Sequence, residues 1–215
     1  FTDGFMGDAP DQGAYEYGGE IWVPGISWDI NEVFGYEFSE PDLLYNGSLF
    51  HVSINGSNSN DGSIDSPFSS IQFAYDRADE QDTILVHPGV YYDDIWFYGK
   101  NVVLGSLFLT TGDTSFLSST IIDGDSTDCT IAIYGNIDST CRITGFTIQN
   151  GIGCVYGQGA GIYVESASPR LDNLIIKNNI SGTNGGGICL NGNSNSLIDK
   201  VVIKNNSADV CLLYT

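Results

Sequence analysis

The sequence predicts an all-β fold built from repeated coils, and three observations support this. A nine-residue phrase of alternating apolar and polar residues occurs in register at 142–150, 170–178 and 197–205, every 27 or 28 residues. A second phrase lies between the copies, at 161–164 and again 26 residues later at 187–190. The remaining residues of each repeat are glycine and turn formers. Each repeat therefore contains at least two strands, and repetition at this period is typical of stacked coils.

The same period also fits a leucine-rich-repeat horseshoe, as the spacing Leu171-x-x-Leu174-x-Ile176 shows. A horseshoe needs a helix or helical turn on its convex side. Here that half of the repeat, residues 182–192, consists of glycines, a short strand and further turn residues, whose helix propensity is very poor. We therefore predict a three-sheet parallel β-helix, in which each coil of about 26–28 residues stacks its strands on the coil below.

Stacking predicts columns of equivalent residues. Strand alternation places two columns inside the coils, Phe146, Leu174 and Val201 in one, and Ile148, Ile176 and Ile203 in the other. The alternating positions then face outwards. An asparagine follows each second inward residue, and stacked amides are expected to bond to one another there. These asparagines are Asn150, Asn178 and Asn205.

One helix is predicted ahead of the repeats. Residues 50–54 alternate like a strand, and residues 55–65 form a polar loop. Ser66 and Pro67 are typical of a helix start, and apolar residues at helical spacing extend the pattern, which predicts an amphipathic helix over about 66–79. An open end of stacked strands would promote aggregation, so we assign this short N-terminal helix a capping role.

Two parts are predicted along the chain. Residues 1–40 are aromatic, Gly-rich and aperiodic, which predicts a linker or the tail of an upstream module. Residues 41–215 form the predicted β-helix domain, and the last residues begin a further coil. The sequence therefore predicts a piece of a longer multidomain chain, truncated at the C-terminal end of the β-helix.

Several segments carry a family resemblance: Phe50–Ser53, Asp61–Ser63, Ser66–Phe68, Gln81–Tyr91 and Gly99–Ser106. They resemble the opening unit of right-handed parallel β-helix proteins of the pectate-lyase-like superfamily, and the later repeats are similar to its generic β-helix repeats. The resemblance covers about residues 49–215 and implies a right-handed fold. It implies no single reaction, because the superfamily includes lyases, hydrolases, esterases, adhesins and surface proteins.

The charge balance excludes some partners. Seven Lys and Arg against 27 Asp and Glu give a net charge of −20. Nucleic acids and anionic lipids depend on cationic contacts, so neither is expected as a partner. No apolar run approaches the roughly 18 residues of a membrane-spanning helix. A polysaccharide or a cell-surface glycan remains as the expected partner.

The cysteine pattern predicts ordinary thiols. The five cysteines are odd in number and lack C-x-x-C spacing, which favours thiols in a β core over a zinc or redox site. They are Cys129, Cys141, Cys154, Cys189 and Cys211.

A carboxylate pair is the first catalytic hypothesis. Asp172 and Asp199 occupy equivalent positions in adjacent coils, so they should lie about 5 Å apart. Such pairs share acid and base work in glycoside hydrolysis. The alternative is that each Asp bonds to turn backbone, as Asp does in β corners.

A cationic ladder is the second hypothesis. Arg142 and Arg170 stack in one column, and Lys177 and Lys204 stack in another. A polyuronate lyase needs a base and a positive charge beside the uronate carboxylate, which such a ladder could supply. The lysines are equally expected as outward solubilising groups.

Calcium is the only cofactor that the sequence suggests. Asp123, Asp125 and Asp128 lie in an oxygen-rich turn that could collect ligands for a hard cation. The turn lacks the glycine and the distal glutamate of a helix-loop-helix calcium site. Asp residues also form turns without any metal.

Aromatic side chains give a last hypothesis. The segment Tyr91–Tyr98 alternates, so one set of aromatic side chains should face outwards, where sugars could stack on them unless residues 1–40 cover them. His51 and His87 have no partner Ser, Cys or Asp in a recognisable motif. Altogether the sequence predicts an extracellular or cell-surface module that binds carbohydrate or acts as a structural spacer, with a polysaccharide lyase or glycoside hydrolase of acidic polysaccharides as the alternative.

Overall fold

A computed structural model describes residues 48–154 and 157–214 of the chain. The predicted tail at residues 1–40 lies outside these residues. The described residues are predominantly β-structure, with parallel sheets and few helices, in agreement with the all-β prediction. Among them, no helix has the length and apolar character needed to cross a membrane.

Sixteen strands are present in the described part of the chain: β1 Leu49–Val52, β2 Thr83–Val86, β3 Gly89–Tyr91, β4 Ile95–Tyr98, β5 Val103–Ser106, β6 Thr120–Asp123, β7 Ile131–Tyr134, β8 Arg142–Thr144, β9 Thr147–Gln149, β10 Ile162–Glu165, β11 Arg170–Lys177, β12 Ile180–Ser181, β13 Asn184–Asn191, β14 Leu197–Lys204, β15 Ser207–Ala208 and β16 Cys211–Tyr214. Three helices accompany them: α1 Ile71–Arg77, α2 Phe108–Thr111 and α3 Phe116–Ser119.

The long strands fall into three parallel series. The first series runs through β1, β2, β5, β8 and the front halves of β11 and β14. The second runs through β3, β6, β9 and the back halves of β11 and β14. The third runs through β4, β7, β10, β13 and β16. From β2 onwards, successive strands of these series along the chain therefore belong to the first, second and third series in turn, and this order repeats.

The register confirms the predicted stacking of like residues. Ile176 pairs with Ile148 on one side and with Ile203 on the other. Leu174 pairs with Val201 in the neighbouring column. Equivalent residues of successive repeats are therefore direct neighbours across the parallel ladder.

Inward-facing apolar residues form the core. Three columns are fully buried in the middle of the fold: Ile84, Leu104, Ile143 and Leu171 in the first series, Ile122, Ile148 and Ile176 in the second, and Ile95, Ile131, Ile162 and Ile188 in the third. Each fully buried side chain of this size contributes about 1.5–3 kcal/mol of hydrophobic stabilisation. Ile198 and Ile203 of β14 continue two of these columns but are 38% and 40% exposed, at the end of the described stack.

A bend divides each copy of the nine-residue phrase, which the sequence did not predict. Gly145, Asn173 and Lys200 occupy equivalent positions and have φ angles of 88°, 50° and 50°. Glycine and asparagine accept this left-handed conformation at the least steric cost. The bend turns the chain from the first series into the second within one phrase.

The predicted asparagine ladder lies one residue later than expected. Asn150, Asn178 and Asn205 have φ angles of 55–60°, so they serve a left-handed turn. The amides that bond between coils belong to Asn179 and Asn206: Asn179 Nδ2 donates to Asn206 Oδ1 at 2.9 Å, and Asn206 Nδ2 donates to the Ile176 carbonyl at 2.9 Å.

The predicted helix is shorter than expected, because the start at Ser66 and Pro67 was wrong. Phe68 is held in extended conformation by backbone hydrogen bonds to His51 and Ser53 of the first strand region. The helix begins at Ile71, after Ser70, whose Oγ accepts from the Phe73 amide at 3.2 Å. Such a side-chain cap satisfies one of the open amides of the first turn.

The helix α1 covers a free strand edge, as its capping role requires. The strand β4 ends the third series and pairs with β7 on one side only. On its other side, the Gln72 side chain accepts from the Trp96 amide at 2.7 Å, and the Tyr75 hydroxyl accepts from the Tyr98 amide at 2.7 Å. These bonds replace the missing strand partner.

The two further helices, α2 and α3, were not predicted. They lie in an excursion at residues 107–119 that packs against β5 of the first series and β9 of the second. A Cβ atom on Gly105 would lie 2.7 Å from the Leu109 side chain, and the Thr147 hydroxyl donates to the Leu117 carbonyl at 2.6 Å. Glycine at position 105 therefore allows the excursion to pack closely.

Candidate functional site

The outer face of the third series carries two columns of aligned side chains. One column contains Trp96, Ala132, Tyr163 and Cys189, and the other contains Tyr98, Tyr134, Glu165 and Asn191. The alternating inward positions, such as Ile95 and Phe97, are fully buried in the core. Strand alternation therefore projects both columns away from the core.

Three of these side chains form a parallel aromatic cluster, which we call the aromatic platform: Trp96, Tyr98 and Tyr134. Their ring planes lie within 10° of parallel, and their centroids are 5.3–6.3 Å apart. Tyr98 is 58% exposed, and Trp96 and Tyr134 are half-buried. The platform thus presents aromatic surface to solvent on two adjacent coils, as the alternation of the Tyr91–Tyr98 segment suggested.

A small residue makes room for the platform. Ala132 pairs directly with Trp96 and is fully buried beside it. The Trp96 ring stacks on its diagonal neighbour Tyr134, two residues further along β7. A large side chain at position 132 would occupy the space between the two rings.

Polar groups continue the face beyond the aromatic rings. The Tyr163 hydroxyl donates to Glu165 Oε2 at 3.1 Å and accepts from Asn191 Nδ2 at 3.0 Å. Desolvation, with the neighbouring Tyr163, Tyr98, Glu165 and Asp128, raises the pKa of Tyr134 to about 12. The phenol of the platform therefore remains neutral and able to donate a hydrogen bond at physiological pH.

Carboxylates also stand where the strands of this series begin. Asp94 directly precedes β4, and its Oδ2 accepts from the Thr127 hydroxyl at 2.9 Å. Burial raises the pKa of the Asp94 carboxyl, and the negative charges of Asp128, Asp93 and Asp125 raise it further. Several acidic groups therefore lie close together beside the platform.

A disulfide joins Cys129 to Cys154, which corrects the prediction that these two residues are thiols. It ties the start of β7 to the loop that follows β9, and it packs beside Ala132 and Tyr163 under the platform. The sequence separation of 25 residues is close to one coil, so the two cysteines stack. The repeat period was the signal that could have predicted this pairing.

The predicted carboxylate pair is split between two environments. Asp172 and Asp199 are register partners, but Asp172 is fully buried and Asp199 is exposed. The Asp172 carboxylate accepts two hydrogen bonds from Arg142 at 2.7 Å and one from Arg170 at 3.0 Å. It also accepts from the side chains of Thr144 and Asn173. Both oxygens of the Asp172 carboxylate therefore already accept hydrogen bonds from other side chains.

The electrostatics of Asp172 favour a permanently charged group. Burial acts to raise the pKa of its carboxyl, but the hydrogen bonds and the positive charge of Arg142 outweigh burial, and the net pKa is lowered. A carboxyl of this kind is a poor proton donor. The catalytic role of Asp172 and Asp199 stays a prediction, and the contacts of Asp172 favour a structural one.

The predicted cationic ladder has the expected register, but its two arginines are bound to a carboxylate. Arg142 and Arg170 are paired neighbours, and both bind the buried Asp172. Lys177 and Lys204 are paired neighbours in the second series. The arginines, the lysines and the aromatic platform thus belong to three different series, and the strand pairing does not bring them together.

The predicted calcium turn is held by protein donors. The Asp123 carboxylate accepts from the Asp125 amide at 3.0 Å, from Gln149 Nε2 at 2.7 Å and from Asn150 Nδ2 at 2.8 Å. Asp128 Oδ1 accepts from the Cys129 amide at 2.8 Å. These bonds match the turn-forming alternative, and calcium binding stays a prediction.

A different group of potential metal ligands is found at Asp128, Cys129 and Cys154, whose ligand atoms lie within 4.8 Å of one another. The two sulfur atoms are joined in the disulfide, so neither is a thiolate. Thiolates are the species that bind zinc and other soft metals, and this group does not fit such a metal while oxidised.

The two histidines are partners, although the sequence showed them as isolated. His51 Nδ1 and His87 Nε2 share a hydrogen bond of 3.0 Å. Burial lowers the pKa of both imidazoles, and the charge of His87 lowers that of His51 further. The pair lies at the first coil on the first series, away from the strands of the platform.

Neither a protein-family model nor a curated protein matches the sequence.

Proposed function

We propose that this chain is an extracellular or cell-surface carbohydrate-binding module built on a right-handed three-sheet parallel β-helix. The single observation that carries the binding proposal is the parallel cluster of Trp96, Tyr98 and Tyr134, in which Tyr98 is 58% exposed and the other two rings are half-buried. Exposed apolar surface of this kind on a stable scaffold marks ligand grooves and interaction sites. The scaffold holds the rings in place before a ligand arrives.

The three parallel strand series support the β-helix proposal. Each series contains one strand from each coil, and the residues of successive coils pair in register. Parallel strands joined by crossover connections are nearly always wound with right-handed connections. The resemblance to pectate-lyase-like proteins implies the same hand.

The chemistry of the face suits a sugar chain. Aromatic rings offer flat apolar surface to the C–H faces of sugar rings, and the Glu165 carboxylate and the Asn191 amide offer hydrogen bonds to hydroxyl groups. The column from Tyr98 to Asn191 covers four coils, or about 14 Å at the usual strand spacing. This length favours an oligosaccharide over a single sugar.

The disulfide supports an oxidising location. Disulfides persist in secreted and surface proteins and are rare in reducing compartments. The Cys129–Cys154 bond, placed directly under the platform, therefore fits an extracellular or cell-surface module.

Fluorescence titration with an array of oligosaccharides tests the binding proposal. Replacing Trp22 and Trp28 by Phe leaves Trp96 as the reporter among the three tryptophans. We expect a saturable change in Trp96 emission, and we expect Tyr98→Ala and Tyr134→Ala each to weaken binding about tenfold or more, as for the loss of an aromatic anchor. Tyr92→Ala, at a tyrosine that is 68% exposed outside the platform, serves as the control.

If no glycan binds, or if the Tyr98→Ala and Tyr92→Ala variants bind glycan with equal affinity, the binding proposal fails. The structural-spacer alternative is then favoured. The lyase or hydrolase alternative has its own assay. Incubation with pectin, alginate or chondroitin, with and without calcium, should give no unsaturated-uronate absorbance and no new reducing ends. A signal that Arg142→Ala abolishes would support an enzyme instead.

A further inference from the structure

Negative charge surrounds the aromatic platform. Glu165 pairs with Tyr134 in the next coil and so extends the same outward column. Asp94 lies two residues before Trp96, at the start of the same strand. Asp128 lies just before β7 and is close enough to act electrostatically on the Tyr134 hydroxyl. Three carboxylates therefore border the three rings.

One positive charge, Lys100, lies two residues after Tyr98, and the other positive charges of the chain lie further from the platform in the sequence. The sequence contains seven Lys and Arg, all of them within the described residues. Arg77 stacks on Phe73, and Lys100 donates to the Tyr75 and Ala78 carbonyls at the end of α1. The other five lie on the first and second series: Arg142, Arg170, Lys177, Lys200 and Lys204.

The combination of rings and carboxylates discriminates between classes of sugar. A uronate chain would bring its own carboxylates against Asp94, Asp128 and Glu165, and like charges at short range repel. A protonated amine would gain both from the carboxylates and from the electron-rich faces of the rings. A neutral sugar would gain from the rings and from hydrogen bonds alone.

We propose that the ligand of the platform is an amino-sugar oligomer with protonated amines, bound in preference to neutral sugars and with exclusion of uronate chains. The inference rests on the proposed carbohydrate-binding function and assigns the class of sugar. It differs from the enzyme alternative, whose substrate is an acidic polysaccharide, because the arginines that could bind one are bound to Asp172.

The test compares three tetrasaccharides: a glucosamine oligomer, a neutral glucose oligomer and a galacturonate oligomer. Binding is measured by Trp96 fluorescence and by calorimetry at about pH 6, where the amines carry positive charge. At about 20 mM salt we expect the glucosamine oligomer to bind about tenfold more tightly than the neutral one, and the galacturonate oligomer not to bind. At about 0.5 M salt screening should reduce the preference to about twofold.

Isosteric variants identify the charges that carry the preference. Asp94→Asn, Asp128→Asn and Glu165→Gln keep the hydrogen-bonding shape and remove one charge each. Each should reduce the preference for the glucosamine oligomer about two- to fivefold, the range of a single solvent-accessible ion pair, and Asp94→Asn and Asp128→Asn should leave the neutral oligomer within about twofold. Asp65→Asn, in an exposed loop outside the platform, makes the same change in net charge and should alter neither.

Two results overturn the inference while leaving the proposed function intact: equal binding of the glucosamine and neutral oligomers at low salt, or a preference that the three isosteric variants do not change. An oligolysine peptide of equal charge tests the inference and the proposed function together. If it binds as tightly as the glucosamine oligomer and ignores Tyr98→Ala, the face is a charge patch and not a sugar site. Failure of all oligomers to bind overturns the proposed function itself.

Discussion

The outer faces of the first and third strand series use the same repeat geometry in opposite ways. On the first series, Asp172 lies buried between Arg142 and Arg170, and the excursion at residues 107–119 covers the neighbouring coils. On the third series, Tyr98 is open to solvent beside the half-buried Trp96 and Tyr134, and carboxylates border the three rings. Polar groups that bond to one another stabilise the fold, whereas groups left open can bind a ligand.

This contrast separates stability from binding, and the largest effect is expected at Asp172. Replacing Asp172 by Ala leaves Arg142 and Arg170 without their partner and should cost about 3 kcal/mol of the free energy of unfolding, the low end for a buried pair because the Arg170 side chain is 40% exposed. Urea denaturation measures the loss. Asp199→Ala, at the exposed register partner, is the matched control and should stay within about 0.5 kcal/mol.

If Asp172→Ala and Asp199→Ala destabilise equally little and both abolish an enzymatic activity, the two carboxylates act as a catalytic pair and the structural reading of Asp172 is wrong. Retained glycan binding by a folded Asp172→Ala variant would further separate the two faces.

The next effect is expected at the asparagine ladder. Asn179 is fully buried, and its side chain bonds to Asn206, to the Ile148 carbonyl and to the Gly151 amide. Asn179→Ala leaves these groups without partners and should cost about 2–3 kcal/mol. Thermal unfolding measures the shift in Tm.

The neighbouring Asn178 provides the control for this prediction. Its φ of 57° suits glycine, so Asn178→Gly should change stability by only a few tenths of a kcal/mol. A larger loss of stability from Asn178→Gly than from Asn179→Ala would show that the bonding amides are at Asn178, the position that the sequence predicted.

A pH effect is expected from the first coil. Because the pKa of His51 and of His87 is lowered in the folded state, folding favours their neutral forms. Their contribution to stability is therefore present above the unfolded pKa of about 6.5 and is lost as pH falls below it. Urea midpoints measured between about pH 5 and 8 should rise with pH.

The double variant His51→Gln with His87→Gln tests the origin of this slope. It should flatten the rise between about pH 5 and 7, and a slope that persists unchanged would place the titrating groups elsewhere. Glycan binding at the third series should be unaffected by the substitutions at a fixed pH.

The smallest effect on stability is expected at the platform itself. Tyr98 is 58% exposed, so Tyr98→Ala should cost less than about 1 kcal/mol, while glycan binding falls about tenfold. Parallel measurement of Tm and of oligosaccharide affinity tests this separation. A loss of stability as large as that of Asp172→Ala would show that the platform is part of the fold and not an open site.

Much of the fold follows from sequence periodicity. The columns of Ile148, Ile176 and Ile203 were predictable, because equal spacing in a repeat places equal residues on successive coils. The bends at Gly145, Asn173 and Lys200 were not, since only the first two positions carry residues typical of a left-handed conformation. The helix start moved to Ser70 because the strand pairing of Phe68 overrode a local signal.

The candidate site was predictable only in part. Alternation in Tyr91–Tyr98 indicated an outward aromatic set, but Tyr134 lies one coil away, and only the strand register brings it to Trp96 and Tyr98. The ion pairs of Arg142 and Arg170 with Asp172 were also hidden. Stacked arginines and a nearby aspartate look the same in sequence whether they face a ligand or bond to one another, and burial decides between the two.

The most direct test is an NMR map of chemical shifts during titration with the glucosamine oligomer. The account predicts the largest shifts at the Trp96 indole, at Tyr98 and Tyr134 and at Glu165 on the third series, with Arg142 and Lys177 unchanged. Shifts centred on Arg142 or Lys177, or no shifts at saturating oligomer, would contradict it.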